Sequence, residues 1–472
     1  MVRKIAIALF VCGVIAASYF TLTRERFYSA HSRKALEYYQ EGVDNVMKYY
    51  LPEGKRDMEL AAEEDPDFPL PHLFLLQQPF SMEKRKDQTE WYKKFAVPAP
   101  EWTNFEKGLI KLAIDKPGPE GLENFADEIE TFLKKYPSRM EAFFLLINKY
   151  RQIVENPEKL VKFYEAMHRR YPNNAQILNM MGYFYSALGQ PDKAKMIFEK
   201  YVYIRPDEAN PYDSFGEFYY NYGQFGKSET YFRKALTRKP DFEAAKLHLA
   251  RTLLYSGKVS ATLDLVDKIE KNRAEAFTVN STVSLRFLCY VFTDNKAGMK
   301  KLVDELPKKQ LMDSVRQNIT LQYCIQTENL ECVKEMLEKE KSASSSRHNY
   351  HFLLNQANFL RITGHPKESA ALLKENVSDH ILNRSFDMRY YVYYILIEDY
   401  MKLGEFNEAE KLANKLPSGY RAYFLMKIMD AAGKPDKARS FARETPKGFP
   451  GADSNFYVLA EARKYAKQGD RR

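Results

Sequence analysis

Little in this sequence punctuates the chain. Glycine (20) and proline (22) are scarce for 472 residues, which excludes a barrel or sandwich built on many tight turns. The four cysteines, Cys12, Cys289, Cys324 and Cys332, include no C-x-x-C pair, so no disulfide framework is encoded. A Cys324–Cys332 bridge is conceivable in an oxidising space, but buried free thiols are the preferred reading. Of eight histidines, only His348 and His351 are spaced to share a helix face, and they lack an H-E-x-x-H context. No metal site is expected. Nucleophile elbows, dinucleotide fingerprints and kinase signatures are missing too, so no catalytic residue and no cofactor are expected. The +9 formal charge is spread thinly, with no Lys/Arg run interleaved with aromatics, which argues against a nucleic-acid partner.

What is plentiful is apolar and aromatic material. Hydrophobic residues make up 45% of the chain, with 33 tyrosines and 31 phenylalanines, enough for one very large domain or several ordinary ones. The first long apolar run is Ile5–Leu22, IAIALFVCGVIAASYFTL, preceded by Arg3-Lys4 and followed by Thr23-Arg24-Glu25-Arg26. It is long for a secretory core and just long enough to cross a bilayer. An uncleaved signal anchor is favoured over a cleaved export signal; Val11 before Cys12 argues against lipid attachment. The positive-inside count sets Arg3 and Lys4 against Arg24, Arg26, Arg33 and Lys34, whereas a four-residue tail before a signal-like segment favours export. The expectation is a single-pass protein with an extracytoplasmic body, periplasmic or lumenal, a cytoplasmic body remaining open.

One stretch, Asn221–Ser228 (NYGQFGKS), imitates the end of a phosphate-binding loop. A period of 34 residues explains it otherwise. Gly189, Gly223 and Gly257 share that spacing, as do Pro172, Pro206 and Pro240. Leu178, Met181, Gly182 and Tyr185 fall on one face of a first helix, and Ala194, Phe198 and Tyr201 on one face of a second. Gly189 ends the first helix and Pro191 begins the next. Gly223-x-x-Gly226 is then a turn between helices, with Asn221 where a phosphate loop needs its first glycine and Ser228 in the small-residue slot of Ala194. Such a hairpin buries its apolar face only by stacking on neighbours.

The series Leu178, Met181, Gly182, Tyr185, Gly189, Ala194, Phe198, Tyr201, Pro206 resembles the tetratricopeptide repeat (TPR) pattern. So does Tyr212, Phe215, Gly216, Tyr219, Gly223, Ser228, Phe232, Ala235, Pro240. The resemblance implies an all-α, right-handed superhelical array of roughly ten helix pairs, preceded by the one N-terminal transmembrane or signal helix. It also implies a concave groove that binds a protein or peptide segment. Carried onto the clear units, the groove positions are Asn179, Tyr183 and Ser186, then Asp213, Glu217, Tyr220 and Asn221, then Leu247, Arg251 and Tyr255. Asp213 and Glu217 stand one helical turn apart, so a basic ligand is expected. Members of the family that hold acidic chaperone tails use a Lys/Asn/Arg clamp. Here Asp213, Glu217, Ala244 and His248 stand in its place, which argues against such a ligand.

The organisation expected is a signal anchor over 1–26 (apolar 5–22), degenerate TPR-like helices over 30–140 with an irregular insertion at 80–120, and a clear array over 141–276. Divergent helical repeats follow over 277–345, with Cys332 expected in a small-residue slot and Ser342–Ser346 as a linker. TPR-like repeats and a basic capping helix close the chain over 350–472. The expected function is a non-enzymatic interaction scaffold, tethered or exported, serving envelope assembly or secretion. Two alternatives stay open: an accessory subunit holding an enzyme at the membrane, and an enzyme with its site in the irregular regions. Partner and oligomeric state are not encoded legibly.

Overall fold

The computed structural model describes residues 27–77, 93–95, 97–154, 157–271, 276–343, 350–383 and 385–468. The apolar segment 5–22, the His348/His351 pair and Ser342–Ser346 fall outside the residues whose side chains are described. Among the described residues every regular element is a helix, and no helix is long and apolar enough to cross a membrane. The chain divides into two compact units, 1–156 and 157–472.

The first unit contains α1 (Arg33–Met47), α2 (Leu51–Glu64), α3 (Pro69–Gln77), α4 (Asn104–Ile114), α5 (Leu122–Lys135) and α6 (Met140–Ile153). Helix α4 lies within the stretch expected to be irregular. Its start is dictated locally: Thr103 and Glu106 form a capping box, the Thr103 hydroxyl accepting from the Glu106 N–H while the Glu106 carboxylate accepts from the Thr103 N–H. Prolines around it masked that signal. Ahead of α1, residues 27–32 run without regular structure and are held by buried carboxylates, as described further below.

The second unit opens with α7 (Pro157–Arg170) and continues as hairpins stacked in order. These are α8 (Ala175–Ala187) with α9 (Pro191–Ile204), α10 (Asn210–Asn221) with α11 (Phe225–Arg238), and α12 (Glu243–Tyr255) with α13 (Val259–Lys271). Then come α14 (Ala276–Phe292) with α15 (Lys296–Glu305), α16 (Asp313–Gln326) with α17 (Leu330–Ala343), and α18 (Tyr350–Ile362) with α19 (Pro366–Asn376). After the short α20 (Asp379–Leu382), α21 (Phe386–Leu403) pairs with α22 (Phe406–Ala413) and α23 (Ser418–Ala431) with α24 (Pro435–Glu444); α25 (Tyr457–Gln468) follows.

Each hairpin turns in the same way. The residue at the turn is left-handed: Gly189, Gly223, Gly257, Asp294, Glu328, Gly364, Gly404 and Gly433, with φ between +48° and +87°. The next N–H reaches back five residues to a carbonyl, from Gln190 to Tyr185, Asn295 to Tyr290, Asn329 to Cys324 and Lys434 to Met429, all at 2.8–2.9 Å. This is the six-to-one bond that satisfies a helix C-terminus. The divergent stretch 277–345 is therefore two further hairpins, with Asp294 and Glu328 where glycine would have announced them. The imitation phosphate loop is one of these turns: Gly223 has φ +68°, and Ser228 is buried with its hydroxyl 3.1 Å from that of Thr252.

Close approach within a hairpin rests on the small residues. A Cβ at Gly182 would lie 2.5 Å from the Phe198 ring, and one at Gly216 would lie 2.7 Å from Phe232; both rings are sealed from water. In the α16–α17 pair the slot is filled by Val333, fully buried, and not by Cys332. Cys332 instead forms a disulfide with Cys324 across the turn, so the expectation of free thiols holds for buried Cys289 alone among the described cysteines. The adjacency that sequence spacing left ambiguous is set by the turn, which brings the facing sides of α16 and α17 within bonding reach.

Candidate functional site

The three clear hairpins present their first helices, α8, α10 and α12, side by side, so residues 34 apart become neighbours. Asn179, Asp213 and Leu247 form one row, Tyr183, Glu217 and Arg251 a second, and Ser186, Tyr220, Asn221 and Tyr255 lie at the turn end. Most of this expected groove is closed by the protein itself. Asn179, Ser186, Asp213, Tyr220, Asn221, Leu247 and Tyr255 are buried; Tyr183, Glu217 and Arg251 are half-buried.

The turn end is filled by the start of α21. Phe386, fully buried, packs edge-on against Tyr220, Phe225 and Tyr255 with ring centroids 5.0–5.7 Å apart. The Asp387 carboxylate accepts from the Tyr220 hydroxyl and lies 3.5 Å from Arg251 Nε. The Phe386 N–H donates to Asn221 Oδ1 at 3.3 Å, and the Arg389 guanidinium donates to the Asn221 carbonyl. Farther along, Tyr420 donates to the Tyr255 carbonyl at 2.8 Å, and the Asp453 N–H donates to the Gly257 carbonyl at 2.9 Å. Residues of α10, α12 and α14 thus share one apolar core with α21, α23 and α25. Sequence reasoning could not see this, because a repeat pattern encodes only nearest-neighbour stacking.

The acidic pair is also answered from within. His248 Nδ1 donates to Asp213 Oδ1 at 3.0 Å, its Nε2 lies 3.5 Å from Glu217 Oε1, and Tyr183 donates to the other Glu217 oxygen. Burial alone would lower the His248 pKa, but the Asp213 and Glu217 carboxylates outweigh it and push it up to about 9. The ring is an imidazolium clamped between two carboxylates. Ligand-capable atoms of Asp213, Glu217 and His248 lie within 4.8 Å of one another. Each ring nitrogen, however, already serves one carboxylate, so the ring bridges the two acids instead of sharing a common centre with them. The basic group expected from a ligand is supplied by the third repeat.

The same groove positions stay more open towards the C-terminus. Counted back from Gly404 and Gly433 they are Tyr394 and Glu398 in α21 and Tyr423, Lys427 and Asp430 in α23, Tyr423 being buried; Tyr391 of α21 and Glu461 and Lys464 of α25 lie beside them. Tyr391, Tyr394, Glu398 and Lys427 are half-buried, and Asp430, Glu461 and Lys464 are exposed. Lys427 pairs with Glu398, Tyr423 donates to Glu461 at 2.6 Å, and Arg361 covers the Tyr394 ring at 5.6 Å. A surface cavity of about 260 Å³ opens between α23 and α25, lined by Met426, Lys427, Asp430, Glu461, Lys464 and Tyr465. Its walls combine aromatic area with both signs of charge, which suits a peptide better than a purely apolar ligand. Counting back from the turns would have identified Tyr394, Glu398, Lys427 and Asp430 from sequence, but the spacings between Gly364, Gly404 and Gly433, 40 and 29 residues, break the period of 34. The wide one holds α20, and the narrow one follows from the eight-residue α22.

Residues 175–208 and 209–242 each match the family model described as tetratricopeptide repeat, so the chain carries tandem TPR units over the segment where the period is cleanest. No protein of curated function matches the sequence. Among solved structures, the chain is similar to one from the crystal structure of the APC/C hetero-tetramer Cut9–Hcn1, at 12% identity and a TM-score of 0.45, covering 91% of this chain and 76% of that one. It is also similar to a tetratricopeptide repeat protein from Parabacteroides merdae, at 14% identity and a TM-score of 0.31, covering 55% and 98%.

Proposed function

We propose that this protein is a non-enzymatic scaffold, held at or exported across a membrane by residues 5–22, that grips a segment of a partner protein. Tandem TPR units indicate a protein–protein interaction scaffold; the tether, the partner's nature and an envelope role are our reading. The observation that carries the binding part is the cavity of about 260 Å³ between α23 and α25, lined by Tyr465, Met426 and the charged Lys427, Asp430, Glu461 and Lys464, with Tyr394 and Glu398 of α21 continuing the same surface through the Lys427–Glu398 pair. The closed stretch over Asn179–Tyr255 contributes mainly its half-buried members Tyr183 and Glu217, and the rest of that row frames the scaffold. With Lys427 and Lys464 beside Asp430 and Glu461, the ligand is a segment carrying both charges, not only basic ones. The Cys324–Cys332 bridge supports an exported body, because such bridges persist in oxidising compartments.

Site-specific photocrosslinking in cells tests this. A crosslinker placed at Tyr394 or Tyr465 should capture one protein, and capture should fall at least tenfold in a Lys427→Glu/Lys464→Glu background. Capture from Tyr203, the most exposed ring on α9 at 83%, with none from Tyr394 or Tyr465, would overturn the groove reading.

A further inference from the structure

The residues that immediately follow the N-terminal apolar run are built into the first unit. The Phe27 carbonyl accepts from the Thr103 hydroxyl at 2.9 Å, and Arg139 lies over the Phe27 ring at 4.0 Å. The Ser29 N–H and hydroxyl donate to Glu106 Oε1 at 2.8 and 3.0 Å; Glu106 is sealed from water. Tyr28 donates to Glu141 at 2.7 Å, and the His31 N–H donates to Asp65 at 2.6 Å. Only Thr23–Arg26 separate this clasp from Leu22. Five residue steps span at most about 18 Å, so whatever holds Leu22 also holds this face of the unit close.

At the same place the unit exposes an apolar loop. Phe95 and Trp102, both buried, stack at 5.5 Å and pinch the base of the loop. The Trp102 N–H donates to the Ala99 carbonyl at 3.2 Å, and Lys107 Nζ donates to the Pro100 carbonyl at 3.1 Å. The tip carries Val97, 75% exposed, with Pro98 and Pro100 exposed beside it. Lys93 and Lys94 are exposed just ahead of it, and Glu101 is exposed at its base. The residue that closes the base, Thr103 next to Trp102, is the one that grips Phe27. An apolar tip bordered by lysines, at the point where a bilayer-length segment joins the fold, has the make-up of an interfacial contact.

We propose that the 97–100 loop rests in the headgroup–acyl boundary of the bilayer that residues 5–22 enter, with Val97 and Pro98 at the acyl side and Lys93 and Lys107 towards lipid phosphates, while Lys94 is held by Asp67 at 3.0 Å. This rests on the membrane reading of residues 5–22 made above. Tethering concentrates the loop at the surface, so a contact too weak to bind alone is populated. It fixes how the first unit faces the bilayer.

The test uses the full chain in vesicles of phosphatidylcholine and phosphatidylglycerol, bearing Cys12→Ser, Cys289→Ser and Val97→Cys, with an environment-sensitive fluorophore on the new thiol. Flotation after carbonate washing reads the anchor; quenching by doxyl-labelled lipid against quenching by aqueous iodide reads the loop. The expected result is carbonate-resistant flotation with at least threefold stronger quenching by doxyl lipid than by iodide. Flotation with iodide quenching dominant overturns the loop contact and leaves the anchor standing. Loss of flotation overturns the anchor and the loop contact with it.

Discussion

Asp387 at the start of α21 lies 3.5 Å from Arg251 of α12 and accepts a hydrogen bond from Tyr220 of α10, joining helices many repeats apart in the chain. Phe386 beside it is the apolar half of the same contact. Phe386→Ala should cost about 3–5 kcal/mol and lower amide-exchange protection across 210–255 as well as 386–403. Asp387→Asn, which keeps the shape, should cost only about 1–2 kcal/mol. Exchange mass spectrometry on both variants checks the order, and a Phe386→Ala effect confined to 386–403 would show that the closure is not cooperative.

Asp399 is fully buried, and neither of its oxygens has a hydrogen-bond partner. Burial pushes its pKa from 3.8 up to about 6, only partly offset by the Ser369 hydroxyl nearby. The folded value is above the unfolded one, so the folded state holds the proton more tightly. The stabilising contribution is complete below pH 3.8 and is lost as pH rises through 6. Asp399→Asn should therefore raise stability at pH 7.5 by roughly 1–3 kcal/mol and flatten the decline between pH 4 and 6. Denaturation across that range measures it.

His248 behaves with a different window. Its folded pKa of about 9 stands above the ordinary 6.5, so the clamp with Asp213 and Glu217 stabilises fully below pH 6.5 and fades as pH rises through 9. His248→Gln should lose about 2 kcal/mol at pH 6 and little at pH 10. Stability of the two proteins followed from pH 6 to 10 gives the answer; parallel curves would show that the imidazolium charge is not what holds the carboxylates.

The turn glycines separate two costs. Gly223 and Gly404 are both left-handed, at φ +68° and +75°. A Cβ at Gly404 meets open space, whereas one at Gly223 would lie 2.2 Å from Pro417 Cγ. Gly404→Ala should cost about 1 kcal/mol from backbone strain alone. Gly223→Ala should cost more, about 2–3 kcal/mol, because Pro417 must also move. Glu328→Gly, at φ +54°, should stabilise by several tenths of a kcal/mol, measured as a small rise in Tm.

Legibility followed the range of the forces involved. Hairpins with glycine turns were readable because a left-handed C-terminus leaves a chemical mark; those turning on Asp294 and Glu328 left none and read only as diffuse helical periodicity. Helix α4 did leave a mark in Thr103 and Glu106, but the surrounding prolines hid it. The small-residue contacts of Gly182 and Gly216 were inferable from volume alone. The groove was legible as a set of equivalent positions. That Phe386 and Asp387 fill one end of it, or that His248 neutralises Asp213 and Glu217, depends on contacts between distant repeats, which a 34-residue period does not specify.

A row of stacked hairpins with free ends is compliant: pulled lengthwise, it opens a little at every joint, as a coil spring does. The Phe386 contact ties one coil to a distant one, so a load applied along the second unit meets a brace. Strain then concentrates along the interlocked stretch where Phe386, Tyr420 and Asp453 meet the early hairpins, until that stretch yields. A protein braced this way resists tension up to a threshold and then lengthens abruptly.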